Sequence, residues 1–356
     1  MKTTLNSLRK QIDTLDRRLV QLLNQRAGLS LAIGKEKVRS GKGIYSPNRE
    51  KEVLKHIKAL NRGPMAYEDF EAIYREIMSS SLALEKSLRI AYLGTEGSFT
   101  HLAANKKFGS RVAYVPCESI QDVFQRVEHG DCDYGVVPVE NSIEGAVTHT
   151  FDLLVDSELK ACAQIMVKIS HNLLSRTQKL KEIKHIYSNP QVFGQCRHWL
   201  IDNMPHAGQI WVASTTEAAR RAGREKGAAA IASGLAAKIY GLPVVKSNIQ
   251  DIAHNQTRFL VLATHDVPPT GRDRTTILFS IKDKVGALHA MLTPFVKNKI
   301  NLTKIESRPA KKKAWDYYFF VDFEGHRSDK NVQKALGRLE GMCKYLKVVG
   351  SYPVIE

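Results

Sequence analysis

The sequence predicts three kinds of domain in one chain: an all-helical segment that needs a partner, a two-lobed α/β segment, and a small α+β segment. Three observations carry this. Leu5, Leu8, Ile12, Leu15, Leu19 and Leu22 alternate spacings of three and four, the stripe of an amphipathic helix. Residues 89–266 alternate short apolar runs with helical stretches, the pattern of an α/β domain. Residues 275–356 read strand, helix, strand, strand, helix, strand, the ferredoxin-like order.

The totals agree. A chain of 356 residues, 43% hydrophobic and 25% charged, is expected to form two or three soluble domains. It has no apolar run of membrane-spanning length. It opens directly on an amphipathic pattern, not on an apolar signal core. Cys117, Cys132, Cys162, Cys196 and Cys343 are scattered without a Cys-x-x-Cys pair. That spacing argues against a zinc ribbon or a disulfide framework and suits a reducing cytoplasm. The formal net charge of +17 raises the question of nucleic acid. However, the excess is split between the ends: 17 Lys+Arg against 10 Asp+Glu in residues 1–88, and 17 against 9 in residues 272–356. No basic patch interleaved with aromatics results. No nucleic-acid partner is expected; small polyanions such as dicarboxylates suit a basic chain.

The first helix is expected from about Leu5 to Arg39, roughly 50 Å long. So long an amphipathic helix cannot fold back on an 88-residue segment, so a second copy is expected to cover it. Gly41 and Gly43 end it. Ser46-Pro47 reads as a cap followed by proline in the first turn of a second helix, to about Leu60. A third helix should carry Phe70, Ile73, Ile77, Ser81 and Leu84 on one face. Arg26 and Lys37 share a face, whereas Arg9 points about 100° away, toward a different surface.

Residues 3–87 resemble the all-helical chorismate mutases. The carriers are Leu8-Arg9 with the apolar stripe, Arg26, the Gly34-Lys35-Glu36-Lys37 turn, Arg49-Glu50, and Ser81 with Glu85. The resemblance implies an interlocked homodimer in which each site borrows Arg9 from the other copy. It implies that Arg26 and Arg49 pair with the substrate carboxylates and Glu50 takes the ring hydroxyl. Lys37 and Glu85 would meet the ether oxygen, with Ser81 lining the pocket. Rearranging chorismate to prephenate needs no nucleophile, only a held conformer and a stabilised ether oxygen. Guanidinium forks suit the carboxylates. Glu85 helps only when protonated. Ser46 departs from the Asp common at that position, two residues after Ile44.

The α/β segment opens with a strand at Arg89–Leu93. Gly94-Thr95-Glu96-Gly97-Ser98-Phe99-Thr100 then starts a helix, a turn able to take a carboxylate on its N–H groups. Strands at Val112–Val115 and Tyr134–Val139 alternate with helices at Ser119–Glu128 and Thr148–Val155. They predict a largely parallel sheet with its ligand at the strand ends. A second lobe is expected over about 167–250, and the chain returns to the first lobe through Ile249–Phe259. A lobe inserted in another makes a cleft and hinge, as in periplasmic-binding-type folds.

This segment resembles the prephenate dehydratases. The motifs, in order, are Gly94–Thr100, Val139-Glu140-Asn141-Ser142, His171-Asn172-Leu173-Leu174, Asn189-Pro190-Gln191 with Gln195-Cys196, and Asn255-Gln256-Thr257-Arg258-Phe259. The resemblance implies that Thr257 donates to the leaving hydroxyl of prephenate, with Glu140 as a neighbouring source of the proton. Asn141, Ser142 and Gln195 would orient the substrate. Arg258 reads equally as structural, and Asn189 carries no catalytic role. No metal or redox cofactor is implied.

A linker over 266–271 leads to the third segment, with Lys311-Lys312-Lys313 as a solvated turn between its middle strands. Gly286-Ala287-Leu288 and Glu306-Ser307-Arg308-Pro309 resemble the phenylalanine-binding motifs of ACT regulatory domains, which implies feedback by L-phenylalanine. Together the three segments resemble the bifunctional chorismate mutase–prephenate dehydratase family with a C-terminal ACT domain. A ligand-binding regulator with basic helices on DNA is the competing class. The set Arg9, Arg26, Lys37, Arg49, Glu50 and Glu85 argues against it, since a regulator would not require it. A third reading keeps one activity only, because of Ser46.

Overall fold

The computed structural model describes residues 4–39, 45–281, 285–310 and 317–354. The expected helix stop at Gly41 and Gly43 and the Lys311-Lys312-Lys313 turn lie outside the described residues. The chain divides into two compact units: residues 1–89 with 107–113, and residues 90–106 with 114–356.

The first unit holds three helices, α1 (Leu5–Arg39), α2 (Pro47–Leu60) and α3 (Tyr67–Glu85). Gly34 to Lys37 form no turn; they sit inside α1. Ser46 precedes α2 and Pro47 occupies its first turn, but the Ser46 side chain makes no capping bond. The apolar stripe from Leu5 to Leu22 is exposed along its length, and Ile73 and Leu84 of α3 are exposed too. The buried positions of α3 are Ser79 and Ser81.

The second unit contains three sheets. The first combines β1 (Arg89–Leu93), β2 (Ala113–Cys117), β3 (Tyr134–Asn141), β4 (Gly145–Ala146), β5 (Lys160–Lys168) and β11 (Gln256–Ala263). Its order is β2-β1-β3-β11-β5, with β4 on β3. Helices α4 (Phe99–Phe108), α5 (Ile120–Glu128) and α6 (Thr148–Asp156) connect its strands. Helix α5 starts at a capping box, Ser119 bonding the Asp122 N–H and Asp122 returning the bond, which satisfies two end donors.

The second sheet is ordered β10-β6-β9-β7-β8. Its strands are β6 (Asn172–Leu174), β7 (His185–Ser188), β8 (Gly208–Trp211), β9 (Ala228–Ala232) and β10 (Val244–Lys246). Around it lie α7 (Pro190–Gln195), α8 (Arg197–Asn203), α9 (Thr215–Ala222) and α10 (Gly234–Ile239). Asn189 caps α7, its side chain accepting from the Val192 N–H with Pro190 behind it. The position has a structural use.

The first sheet is mixed rather than largely parallel. Strands β1 and β3 run parallel, but β11 lies antiparallel to both β3 and β5. The physical reason is the route of the chain. It leaves by β5, builds the second lobe, and returns antiparallel between β3 and β5. The two crossing segments bond to one another, Ile169 N–H to Asn255 C=O and Ile249 N–H to His171 C=O, both at 2.9 Å.

The third sheet runs β13-β14-β12-β15, from β12 (Asp273–Ser280), β13 (Leu302–Pro309), β14 (Tyr317–Glu324) and β15 (Tyr345–Pro353). With α11 (Ala287–Lys297) and α12 (Lys330–Glu340) it has the ferredoxin-like order. It shares a core with the first lobe: Leu278, Phe320, Val349 and Tyr352 pack with Phe151, Leu154, Leu260 and Leu262. Each such side chain contributes about 1.5–3 kcal/mol on burial. The approach is close enough that a Cβ at Gly350 would overlap the Ala161 backbone.

Ionic links cross this same seam. Arg258 on β11 meets Asp322 on β14 at 2.6 Å, with side chains 8% and 4% exposed. Thr276 Oγ1 donates to Asp322 at 2.6 Å. Lys304 reaches Glu140 at 2.9 Å and Arg308 reaches Asp152 at 3.3 Å. Removing one member of a buried pair strands the other charge. Asp322→Ala is therefore expected to cost about 3–5 kcal/mol, read from denaturant unfolding. A midpoint equal to the parent's would contradict this.

Candidate active sites

In the helical unit, α1 and α3 bring four of the expected residues together. Arg26 Nη1 donates to Ser81 Oγ at 2.8 Å, and Ser81 Oγ donates to the Ile77 carbonyl at 2.9 Å. Lys37 Nζ lies 3.8 Å from Glu85. Burial pushes the Glu85 carboxyl above its ordinary pKa, against the opposing pull of Lys37 and Arg26. One Glu85 oxygen is buried without a hydrogen-bond partner among the described residues. A carboxyl so placed favours the protonated form. Gly34 makes room for it, since a Cβ there would come within 2.7 Å of Glu85 Cγ.

Helix α2 adds Arg49. A cavity of about 500 Å³ is lined by Arg26, Arg49, Glu52, Val53, His56 and Ile57. The last three lie four, seven and eight residues beyond Arg49, a helical spacing legible in the sequence, and they were not anticipated. Glu50 is engaged through one oxygen by Lys107 at 2.8 Å and by the Tyr45 hydroxyl at 2.8 Å. Arg9 lies on the exposed stretch of α1, about 25 Å along the axis from Arg26 at 1.5 Å per residue, and is not part of this group.

In the α/β body, Thr257 and Asn141 face each other across β11 and β3. Asn141 Nδ2 donates to Thr257 Oγ1 at 2.9 Å and to Asn255 Oδ1 at 2.7 Å. Asn141 Oδ1 accepts from the N–H groups of Ile143 and Glu144 at 2.9 and 3.1 Å. Asn255 Nδ2 reaches Gln195 Oε1 at 3.4 Å, and His171 Nε2 lies 2.7 Å from the same oxygen. Thus Asn141 and Thr257 from the first lobe, Gln195 from the second and the two crossing segments converge. With its oxygen accepting from Asn141, the Thr257 hydroxyl keeps its proton for another acceptor. Asn255 and His171 belong to motifs quoted above but carry no expected role there.

Glu140 is corrected. Side chains alternate faces along a strand, so Glu140 and Arg258, paired across β3 and β11, turn away from Thr257. Glu140 is engaged by Lys304 at 2.9 Å and Arg258 at 3.7 Å, and the expected proton relay to Thr257 is not formed. Burial alone would lower the Arg258 pKa. Tyr352, Asp322 and Glu140 outweigh it and push the value up, so the guanidinium stays charged and structural. Ser142 is also committed: its hydroxyl accepts from the Gln256 N–H at 2.9 Å and donates to the His254 carbonyl at 3.2 Å.

The turn at 94–100 clasps the second lobe. Ser233 Oγ donates to the Gly97 carbonyl at 2.8 Å, and Thr95 bonds Thr216. Gly97, at φ +91°, brings the turn within contact of Ala236, where a Cβ would meet Ala236 Cα at 3.3 Å. Its N–H donates to His101 Nδ1 at 3.0 Å, so that donor is not open to a carboxylate.

On the third sheet, Gly286 takes a left-handed φ of 76° before α11, Ala287 is buried and Leu288 exposed. Glu306 and Arg308 share one face of β13, with Ser307 and Pro309 on the other. Arg308 pairs with Asp152 on α6 at 3.3 Å.

This fold and these sites define a class: a two-lobed α/β enzyme body with a helical unit ahead of it and a small α+β sheet fused behind. Family models match prephenate dehydratase over residues 90–267, chorismate mutase type II over 8–86 and the ACT domain over 275–341. The bifunctional chorismate mutase/prephenate dehydratase of Aquifex aeolicus is 47% identical over 353 residues, covering 98% of each chain. Among solved structures, prephenate dehydratase from Arthrobacter aurescens, in complex with L-Phe, is 31% identical. It covers 75% of this chain and 90% of that one, with TM-score 0.69. GqqA, described as a quorum quenching acylase, is 26% identical, covers 75% and 98%, and has TM-score 0.69. The chain belongs to the bifunctional chorismate mutase/prephenate dehydratase family.

Proposed function

We propose that residues 1–88 rearrange chorismate to prephenate. Residues 89–266, with a second lobe near 167–250, convert prephenate to phenylpyruvate, and residues 275–356 sense L-phenylalanine. The hydrogen bond from Asn141 to Thr257 carries the dehydratase reading. As the ring carboxylate leaves as carbon dioxide, its bonding electrons enter the ring and expel the hydroxyl at the opposite carbon. The hydroxyl departs as water once it gains a proton. Thr257, its oxygen already accepting from Asn141, donates a hydrogen bond to that group. Asn141 and Gln195 orient the substrate.

In the helical unit Arg26 and Arg49 take the two carboxylates of chorismate, beside Ser81. Lys37 and protonated Glu85 stabilise charge on the ether oxygen as its bond breaks. A homodimer is supported by the exposed apolar stripe of α1, and through it Arg9 completes the site of the other copy. Gly286, Ala287, Leu288, Glu306, Ser307, Arg308 and Pro309 form the phenylalanine site. The seam behind Thr257 gives feedback a physical route. No helix among the described residues is long and apolar enough to cross a membrane. A cytoplasmic location is part of this reading on separate ground, the scattered cysteines without a Cys-x-x-Cys pair.

Three outcomes test this. Thr257→Ala is expected to lower phenylpyruvate formation by roughly 10²–10⁴-fold while chorismate consumption continues; equal loss of both rates would break the assignment. Mutase turnover is expected to fall as pH rises through the raised Glu85 pKa, because the ionised carboxylate repels the ether oxygen. In Glu85→Gln that limb of the profile should flatten, and a limb as steep as the parent's would contradict the role. Millimolar L-phenylalanine should slow the dehydratase step, and an unchanged rate would remove the sensor.

A further inference from the structure

The polar chain behind Thr257 has a fixed direction. Backbone N–H groups cannot flip, and two of them, from Ile143 and Glu144, bond Asn141 Oδ1. Asn141 must therefore present Nδ2 to both Asn255 Oδ1 and Thr257 Oγ1. Asn255, having turned its oxygen to Asn141, presents Nδ2 to Gln195 Oε1. The far end of Gln195 agrees independently. Its Nε2 donates to Glu144 Oε1 at 2.8 Å, and an ionised carboxylate only accepts. Gln195 Oε1 thus faces inward, where His171 Nε2 stands 2.7 Å away. An oxygen cannot donate, so the proton of that bond is on His171 Nε2.

The other ring nitrogen completes the assignment. His171 is 1% exposed, and its Nδ1 is buried with no hydrogen-bond partner among the described residues. A second proton there would bury an unpaired charge, which is costly. Burial accordingly pushes the His171 pKa below its ordinary value, against the bond to Gln195. The ring packs against Phe99, T-shaped with centroids 5.6 Å apart, and the His171 backbone N–H donates to Gln250 Oε1 at 3.0 Å.

We propose that His171 is a positioning residue of the dehydratase reaction. Neutral and protonated on Nε2, it holds Gln195 Oε1 where it accepts from Asn255, so that Asn255 Oδ1 stays turned to Asn141 and Asn141 donates to Thr257. The inference rests on the dehydratase reading of this cleft. Without the His171 donor, Gln195 Oε1 loses its 2.7 Å partner and keeps only the 3.4 Å contact from Asn255. Gln195 and Asn255 are then held less firmly, and Asn141 loses the fixed acceptor that aligns it on Thr257.

The test compares His171→Leu, His171→Asn and His171→Gln in the full chain, assayed for phenylpyruvate from prephenate. A glutamine amide nitrogen stands where Nε2 stood, whereas an asparagine nitrogen reaches only the Nδ1 position. The Leu and Asn variants are expected to lose about 10²-fold in kcat, the scale of a misplaced reacting group, with little change in KM. The Gln variant should recover most of that loss. Because His171 acts through Gln195, His171→Leu combined with Gln195→Ala should lose no more than Gln195→Ala alone. Parental kcat in His171→Leu, equal activity of the Asn and Gln variants, or additive losses in the double variant would each overturn the proposal. Should the Leu variant fail to fold, the Asn and Gln pair decides. If the unmodified chain releases no phenylpyruvate, the dehydratase reading itself fails. If it does and the His171 series disagrees, only this inference falls.

Discussion

Two neighbouring residues on one strand face opposite ways, and much of the second unit is arranged around that fact. Along β11 the side chains alternate. Thr257 looks into the cleft beside Asn141, and Arg258 looks back into the seam with the ferredoxin-like sheet, 2.6 Å from Asp322. The strand is held on one edge by β3 and on the other by β5, so Thr257 cannot shift without Arg258 feeling it. A buried guanidinium is tolerated only when its partners are close and well placed. Asp322 is fixed in turn by Thr276. The ferredoxin-like sheet therefore grips the back of the strand whose front carries Thr257. A shared, packed element of this kind is the physical requirement for coupling under the proposed function.

The helical unit solves a different problem. Its reaction needs positioned charge rather than a nucleophile, and its groups come from α1, α2 and α3. The interior position of Glu85 is possible because Gly34 leaves α1 without a side chain at that point. The cost is a long helix with an apolar stripe left uncovered within one chain. Under the proposed homodimer this stripe is what the second copy covers.

Much of this was legible in the sequence because it is written in local patterns. The period of α1, the proline opening α2, the helix start at Ser119 and the βαββαβ order all follow from neighbours a few residues apart. The parallel sheet was misjudged because alternating strands and helices do not reveal that the last strand returns antiparallel. Glu140 was misjudged despite a usable signal: adjacent to Asn141 on a strand, it had to face the other way. The partners of Glu50 and Arg308 were not legible, since Lys107 and Asp152 lie far along the chain and only folding brings them near. His171 sat in a recognised motif, but its meaning depends on one amide orientation that no linear pattern encodes.

The most direct test of the account is a crystal structure of the whole chain bound to an unreactive analogue of prephenate. The account predicts the ring hydroxyl of the analogue against Thr257 Oγ, on the Asn141 face of the sheet, with its carboxylates toward Asn141 and Gln195. An analogue seated away from Thr257, or bound on the Glu140 and Arg258 face, would contradict it.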